Sequence, residues 1–351
     1  MKVLHLNSEK SWRGGEQQMA NLAVELKQVG VKSIIGSKPN SKSIQFAKKN
    51  DFDYLELPFG GLNILAAISL RNYLLKNKID LIHTHTANAH TVAVYANIFG
   101  ANTPIIASKR TNFPIKSKFK FKHASVKKIL CVSDMIKTTT LKACPELKNL
   151  HTVYSGIDSK RFDCPQKNLK DIYSIDENKV LVGNCSAITK EKDYFTFIDT
   201  AKLLNNIDQQ KYHFIIIGSG ALEDELKAYA KEMKNITFTG FLPNIHQLLK
   251  SLDVFLITSQ EEGLGTSILD AMICEVPVVA TTAGGMPEIA IHEQTALTSS
   301  IKNPQDLAKN VELIQGRDDL VKNAKEMVLN GFTREATAKK TLAHYEDVIK
   351  P

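Results

Sequence analysis

Val254-Phe255-Leu256-Ile257 opens a stretch that runs on through Thr258-Ser259-Gln260-Glu261-Glu262-Gly263-Leu264-Gly265-Thr266-Ser267-Ile268-Leu269-Asp270-Ala271-Met272 and closes on Val276-Pro277-Val278-Val279-Ala280. Both ends are short, β-branched apolar runs, the pattern of strands covered on both faces. Between them lies a glycine-bearing loop, with a helix expected to start at Thr266 or Ser267. Strand, helix and strand in that order predict a parallel βαβ unit. Ala283-Gly284-Gly285-Met286-Pro287-Glu288 then gives a glycine turn and a further helix start with Pro near its first position.

The same alternation extends outward. Upstream in this half, strands are predicted at Val180–Gly183, Phe214–Ile217 and Ile236–Phe238, with a helical pattern at Leu222–Met233 and another, beyond the last strand, at Leu307–Ile314. The first half repeats it, with strands at Val3–Leu6, Ser33–Ile35, Leu81–His83, Ile105–Ala107 and Ile129–Val132. Met19, Leu22, Ala23 and Leu26 stand at i, i+3, i+4 and i+7 in a helix over Glu16–Val29. Two doubly wound α/β domains follow, facing a central cleft, with the break near Tyr154-Ser155-Gly156-Ile157-Asp158. The expected divisions are 1–156, 157–331 and a final helix over 332–351 that packs back on the first domain through Leu342, Tyr345 and Val348. In such sheets ligands bind at the carboxyl ends of strands, beside the switch in strand order.

A length of 351 residues suits two domains, and 43% hydrophobic against 23% charged residues excludes a disordered or fibrous chain. The net charge of +8 is unevenly spread. Residues 1–155 hold 23 Lys/Arg and 9 Asp/Glu, a balance of +14, and the remainder holds 22 and 28, a balance of −6. The basic half predicts an anionic partner. No run of 18 apolar residues predicts a spanning helix, and Met1–Ser8 reads as a buried strand rather than a leader. Five scattered cysteines without a CxxC pair argue against a disulfide framework or zinc site, and predict a cytoplasmic chain with reduced thiols.

Chemistry is sought in the loops. Gly14-Gly15 follow the first strand and open a helix, so backbone N–H groups face a phosphate or sugar, or the pair makes an ordinary tight turn. The loop matches neither a dinucleotide GxGxxG nor a P-loop. Ser267 and Asp270 fit a Ser-x-x-Asp capping pattern. Free N–H groups at that helix start suit a diphosphate, and Glu262 and Asp270 suit hydroxyl-rich ligands, or Asp270 is merely a cap residue and Glu262 a solvated loop charge.

Taken together, these residues resemble the family 4 retaining glycosyltransferases, which have the GT-B fold of two Rossmann-like domains. The similarity spans nearly the whole chain. Glu262-Gly263 through Pro287-Glu288 is similar to that family's Glu-x7-Glu segment followed by Gly-Gly-x-Pro-Glu. Gly14-Gly15, Val132-Ser133, Val153-Tyr154-Ser155-Gly156-Ile157-Asp158 and Gly218-Ser219-Gly220 fall in the family's order. The resemblance implies sugar transfer from a nucleotide-sugar, UDP or GDP, with retention and without a metal or other cofactor. It gives Glu262 the donor-sugar hydroxyls, Asp270 the ribose and Lys192 the diphosphate. Gly14, Gly15, Gly218, Gly263, Leu264, Gly265, Thr266 and Ser267 would share donor binding. The chain departs from the family at three positions: Asp270 stands for a glutamate, Ala187 for an arginine, and Arg110 for a histidine near the transferred sugar. Arg110 completes the expected catalytic set with Glu262 and Lys192.

On the acceptor and membrane side the candidates are Trp12, His85, Lys116, Lys118, Phe119, Lys120, Phe121 and Lys122, where lysine alternates with phenylalanine. His83, His85 and His90 show no third partner that would make a metal site, and Asp51-Phe52-Asp53 reads as coincidence. No nucleic-acid-binding signature occurs. The sequence thus predicts a peripheral enzyme at the inner face of the cytoplasmic membrane. It would move a hexose-type sugar to a lipopolysaccharide-core or other lipid-linked glycan. The alternatives are a nucleotide-sugar epimerase of the same fold, or a non-catalytic glycan- or nucleotide-binding relative.

Overall fold

A computed structural model describes residues 1–60, 63–112 and 118–350. The chain forms two compact units, Met1–Gly156 with Arg334–Pro351, and Ile157–Thr333. The first runs β1 (Lys2–Leu6), α1 (Gly14–Gln28), β2 (Lys32–Ser37), α2 (Lys42–Lys49), β3 (Asp53–Glu56), α3 (Ile64–Asn77), β4 (Leu81–Thr84), α4 (Ala87–Ile98), β5 (Ile105–Lys109), α5 (Lys118–Lys122), β6 (Val126–Cys131), α6 (Asp134–Ala143) and β7 (Leu150–Thr152). The second runs α7 (Leu169–Tyr173), β8 (Val180–Cys185), α8 (Tyr194–Ile207), β9 (Tyr212–Ile217), α9 (Glu223–Tyr229), β10 (Ile236–Gly240), β11 (Val254–Ile257), α10 (Thr266–Ile273), β12 (Val278–Thr281), β13 (Leu297–Ser299), α11 (Pro304–Leu313) and α12 (Asp318–Gly331). The closing helix, α13 (Arg334–Ile349), returns to the first unit.

Each sheet is parallel. The first has the order β3-β2-β1-β4-β5-β6-β7 and the second β10-β9-β8-β11-β12-β13. Strand order therefore reverses between β1 and β4, and between β8 and β11. Those are the switch points where such sheets bind ligands.

Both faces of the first sheet are covered. Leu4, Leu6, Ile82 and Ile129 pack with Leu70 and Val92 of the α3–α4 side. Val3, Leu81, Ile106 and Leu130 pack with Leu22 and Leu26 of α1 and with Ala338 and Tyr345 of α13. Arg334 adds a 2.7 Å ion pair to Glu25. In the second unit Val182, Ile216, Val254 and Leu256 meet Phe197 and Ala201 of α8 and Val311 of α11. Full burial of such side chains contributes about 1.5–3 kcal/mol each. Side-chain caps fix several helix starts: Thr86 for α4, Ser133 for α6 and Asp193 for α8. Each is worth about 1 kcal/mol.

The structure differs from the sequence expectations in places. β3, β7 and β13 are additional edge or near-edge strands, the last two only three residues long. α9 ends at Tyr229 rather than Met233. α13 starts at Arg334 rather than Phe332. The Phe332 carbonyl accepts from Ile157 N at 2.8 Å, and Thr333 bridges Ile157, so Phe332 caps α12 and Thr333 stays outside the helix.

Candidate active site

Two loops at the switch point of the second unit bring Lys192 and Glu262 together. Lys192 ends a 3₁₀ turn, Lys190–Lys192, after β8, and Glu262 lies after β11. Lys192 Nζ pairs with Glu262 Oε1, and the two side chains are only 19% and 12% exposed. Ser259 Oγ donates a second hydrogen bond to the same oxygen at 3.0 Å. The loops are tied to each other: Gln260 N donates to Glu191 O at 2.8 Å, and Thr258 Oγ1 to Asp193 O at 2.9 Å.

Glycines let neighbouring loops close on this pair. Gly284 has φ 55°, and a Cβ there would lie 2.0 Å from the Glu262 carbonyl oxygen. Gly285 N donates to that oxygen at 3.1 Å. Gly218, after β9, has φ 147°, and its Cβ would lie 2.0 Å from Ser186 O in the β8 loop. Both positions require glycine for backbone conformation and for space.

α10 starts at Thr266, as expected, but its cap is Gly265 in a left-handed conformation, with no side-chain cap. The Ser267–Asp270 capping pattern is therefore not formed, because the helix begins two residues too early for Ser267 to be its cap. Gly263, Thr266 and Ser267 are half-buried, and Leu264 is buried, so Leu264 offers a ligand only its backbone. Asp270 is half-buried instead of capping, and burial pushes its carboxyl up to about 7. Arg161, in the 3₁₀ turn Ser159–Phe162, opposes that rise, and donates from Nε to His246 Nδ1 at 3.2 Å. The sequence pattern did not single out Arg161; no motif marks it. Ala187 is exposed in the β8 loop.

In the first unit α1 begins at Gly14, with Glu16 bracing the turn. Its Oε2 accepts from Arg13 N and its Oε1 from Asn7 Nδ2, both at 2.9 Å. A side chain at Gly14 or Gly15 would meet nothing within 4 Å, so packing does not demand glycine there and the helix start is open.

His5, His83 and His85 lie together, with ligand atoms within 4.8 Å of one another. This corrects the expectation that no third histidine joins the pair; β1 and β4 are hydrogen-bonded neighbours, which puts His5 opposite His83. It also corrects the reading of His85 as an acceptor-lining residue, since the ring is buried, 3.1 Å from His5 Nδ1 through Nε2. His83 is held on both ring nitrogens, by Tyr345 Oη at 2.5 Å and Ser108 Oγ at 2.8 Å. Burial holds His83 and His85 well below the usual imidazole range, and His5 at about 3. The Arg110 charge lowers His83 and His85 further. The trio is a buried knot held in the neutral form, in which His5 Nε2 and His85 Nδ1 have no partner among the described residues, and the guanidinium beside it opposes a cation.

Arg110 follows β5. Its Nη1 donates to Ser155 Oγ at 3.3 Å, and its Nε is buried with no partner among the described residues. Burial lowers its pKa to about 10.

Trp12 is half-buried, donates to Gln17 Oε1 at 3.1 Å and packs on Phe46. The alternating segment forms the short helix α5. Phe121 stacks on His90 at 4.5 Å, while Phe119 is 59% exposed. Lys118 and Lys122 reach Glu146 at 3.9 and 3.8 Å, and Lys120 donates to Thr91 Oγ1. Lys116 lies outside the described residues. Asp53 pairs with Lys32 at 2.8 Å and Phe52 is buried, so Asp51-Phe52-Asp53 has a structural account.

Two doubly wound α/β units, with glycine loops and a Lys–Glu pair at the second unit's switch point, define the class: two-domain α/β proteins whose ligands bind at strand ends. Residues 12–161 match Glycosyltransferase Family 4, and residues 165–329 match Glycosyl transferases group 1. The chain belongs to this glycosyltransferase family, has its GT-B fold, and is a transferase enzyme. It is 21% identical to N-acetyl-α-D-glucosaminyl L-malate synthase of Bacillus anthracis, covering 87% of this chain and 84% of that one. It is 25% identical to UDP-Gal:α-D-GlcNAc-diphosphoundecaprenol α-1,3-galactosyltransferase of Escherichia coli, covering 80% and 79%. HepE of Anabaena, solved with UDP and glucose, superposes with a TM-score of 0.81 at 20% identity over 98% and 99% of the two chains.

Proposed function

We propose that this enzyme moves a hexose-type sugar, with retention, from a nucleotide-sugar to a lipid-linked or lipopolysaccharide-type glycan. The observation that carries the reading is the Lys192–Glu262 pair at the second switch point. Without donor the two neutralise each other. A donor would take them apart: Lys192 to the diphosphate, Glu262 to sugar hydroxyls, Asp270 to the ribose. The start of α10 would add N–H dipoles toward the phosphates. Charge on the departing nucleoside diphosphate is then met by fixed groups of the chain, and the reading assigns no metal or other cofactor. UDP is the first base to test, since HepE was solved with it.

The acceptor side rests on the first unit. Residues 57–133 hold 11 Lys/Arg and a single carboxylate, Asp80. On α3, Ile64, Leu65, Ile68 and Leu75 are exposed beside Arg71, which donates to Phe99 O at 2.7 Å, and Phe99 is exposed too. Apolar side chains set among cations suit an anionic membrane surface. Among the described residues no helix is long and apolar enough to cross a membrane. This supports peripheral attachment at the cytoplasmic face, with a lipid-linked acceptor as in the galactosyltransferase relative. The malate-acting relative makes a small carboxylate the second acceptor class to assay.

A thermal-shift screen against UDP-, GDP- and ADP-sugars tests the donor assignment. One base should stabilise the wild type by several degrees and the Lys192→Ala variant much less. Equal shifts in both proteins contradict it.

A further inference from the structure

We propose that Arg110 holds an oxyanion, phosphate or carboxylate, carried by one of the two substrates. A guanidinium has five N–H donors. Among the described residues only one is satisfied, by the neutral Ser155 hydroxyl, and Nε is sealed from solvent without a partner. A buried cation left this way is unfavourable unless something outside the chain completes it.

No neighbour among the described residues does so. The carboxylate that acts on Arg110 is Glu16, which makes no ion pair with it within 4.0 Å, and both Glu16 oxygens already accept from Asn7 and Arg13. The Tyr345 phenol also faces the guanidinium, and burial holds its pKa well above the usual range, so it is neutral. His83 and His85 are neutral as well and supply no negative charge. His5 completes the knot beside them. Arg110 as a residue is only half-buried, so the proposed ligand would approach through Nη1 and Nη2, Nε being sealed. The fork geometry suits two oxygens of one phosphate or carboxylate. At this position the resembled family carries a histidine, so the anion preference would belong to this chain. The inference rests on the proposed reaction only for the source of the anion.

The test follows thermal unfolding of the full chain at fixed ionic strength, with inorganic phosphate, L-malate or UDP. Without anion, Arg110→Gln is expected to melt at the wild-type temperature or above it, because an uncompensated charge is removed. Phosphate or malate should stabilise the wild type, with at least about tenfold weaker apparent affinity in Arg110→Gln and an intermediate value in Arg110→Lys. If that loss is seen with saturating UDP present, the anion belongs to the acceptor. If it is UDP affinity itself that falls tenfold, the anion is the donor diphosphate. A lower melting temperature for Arg110→Gln, with unchanged affinity for all three probes, marks a purely structural arginine and overturns the proposal. A wild type that binds phosphate through Arg110 yet transfers no sugar removes the proposed reaction and leaves this site standing.

Discussion

Lys192 and Glu262 hold opposite charges against each other in a mostly sealed pocket, so neither is replaceable without affecting the other. Among the described residues, Lys192→Ala leaves the Glu262 carboxylate with only the Ser259 hydroxyl, at a cost of roughly 2–3 kcal/mol. Removing Glu262 as well should recover part of that loss. Chemical denaturation of the two single variants and the double variant measures the coupling, and strict additivity would contradict a working pair. Asp270 makes a pH prediction. Its carboxyl is raised from 3.8 to about 7, so the carboxylate forms only as pH rises through about 7. If the carboxylate holds the ribose, donor affinity should fall as pH drops below 7, and Asp270→Asn should abolish that dependence. The linkage to stability has the opposite sign. A raised acid pKa favours the protonated fold, so this group's contribution is full below pH 3.8 and is lost as pH rises toward 7. Titration of donor binding from pH 5.5 to 8.5 on both proteins separates the two effects; a flat wild-type profile contradicts the ribose role.

At the scale of elements, the glycine loops are the parts whose geometry the site depends on most. Gly284→Ala adds a Cβ where the backbone is left-handed and the Glu262 carbonyl is 2.0 Å away. It should destabilise the fold by about 1–3 kcal/mol and displace Glu262, with a larger fall in turnover than in donor affinity. A variant with wild-type stability and turnover would contradict this role for the loop. The central strands were legible because Leu4, Ile82, Val182 and Leu256 belong to continuous apolar runs buried on both faces. β3 was harder to read, because Asp53, Tyr54 and Glu56 are exposed at a sheet edge and carry no apolar pattern. β7 and β13 are too short for periodicity to register. The glycines and carboxylates of the candidate site were singled out by their place after strands and by the family resemblance. What they touch could not: the closing of Gly284 on Glu262, the meeting of His5 with His83, and the approach of Arg161 to Asp270 are products of topology, joining residues remote in sequence. The cap of α10 was misread because Gly265, not a polar side chain, ends the loop.

At the scale of the molecule, the net charge of +8 conceals a basic first half and an acidic second half. If the first unit meets an anionic bilayer, the attraction is worth about 1 kcal/mol per lysine or arginine near the surface and is screened by salt. Co-sedimentation should find the chain on phosphatidylglycerol-containing vesicles at low salt, and much less on phosphatidylcholine or at half-molar salt. Leu65→Glu on the exposed face of α3 should weaken it further without altering the fold. Binding that ignores both lipid charge and salt would contradict the membrane reading. On the proposed reading, the acidic half would offer carboxylates to a hydroxyl-rich donor, with Lys192 supplying charge for the phosphates. The most direct measurement of the central claim is sugar transfer from the stabilising nucleotide-sugar, compared among the wild type, Glu262→Ala and Lys192→Ala. Each variant should lose about tenfold or more in kcat/KM while remaining folded, a loss of about 1.4 kcal/mol in transition-state stabilisation. Full transfer activity in both variants would contradict the account.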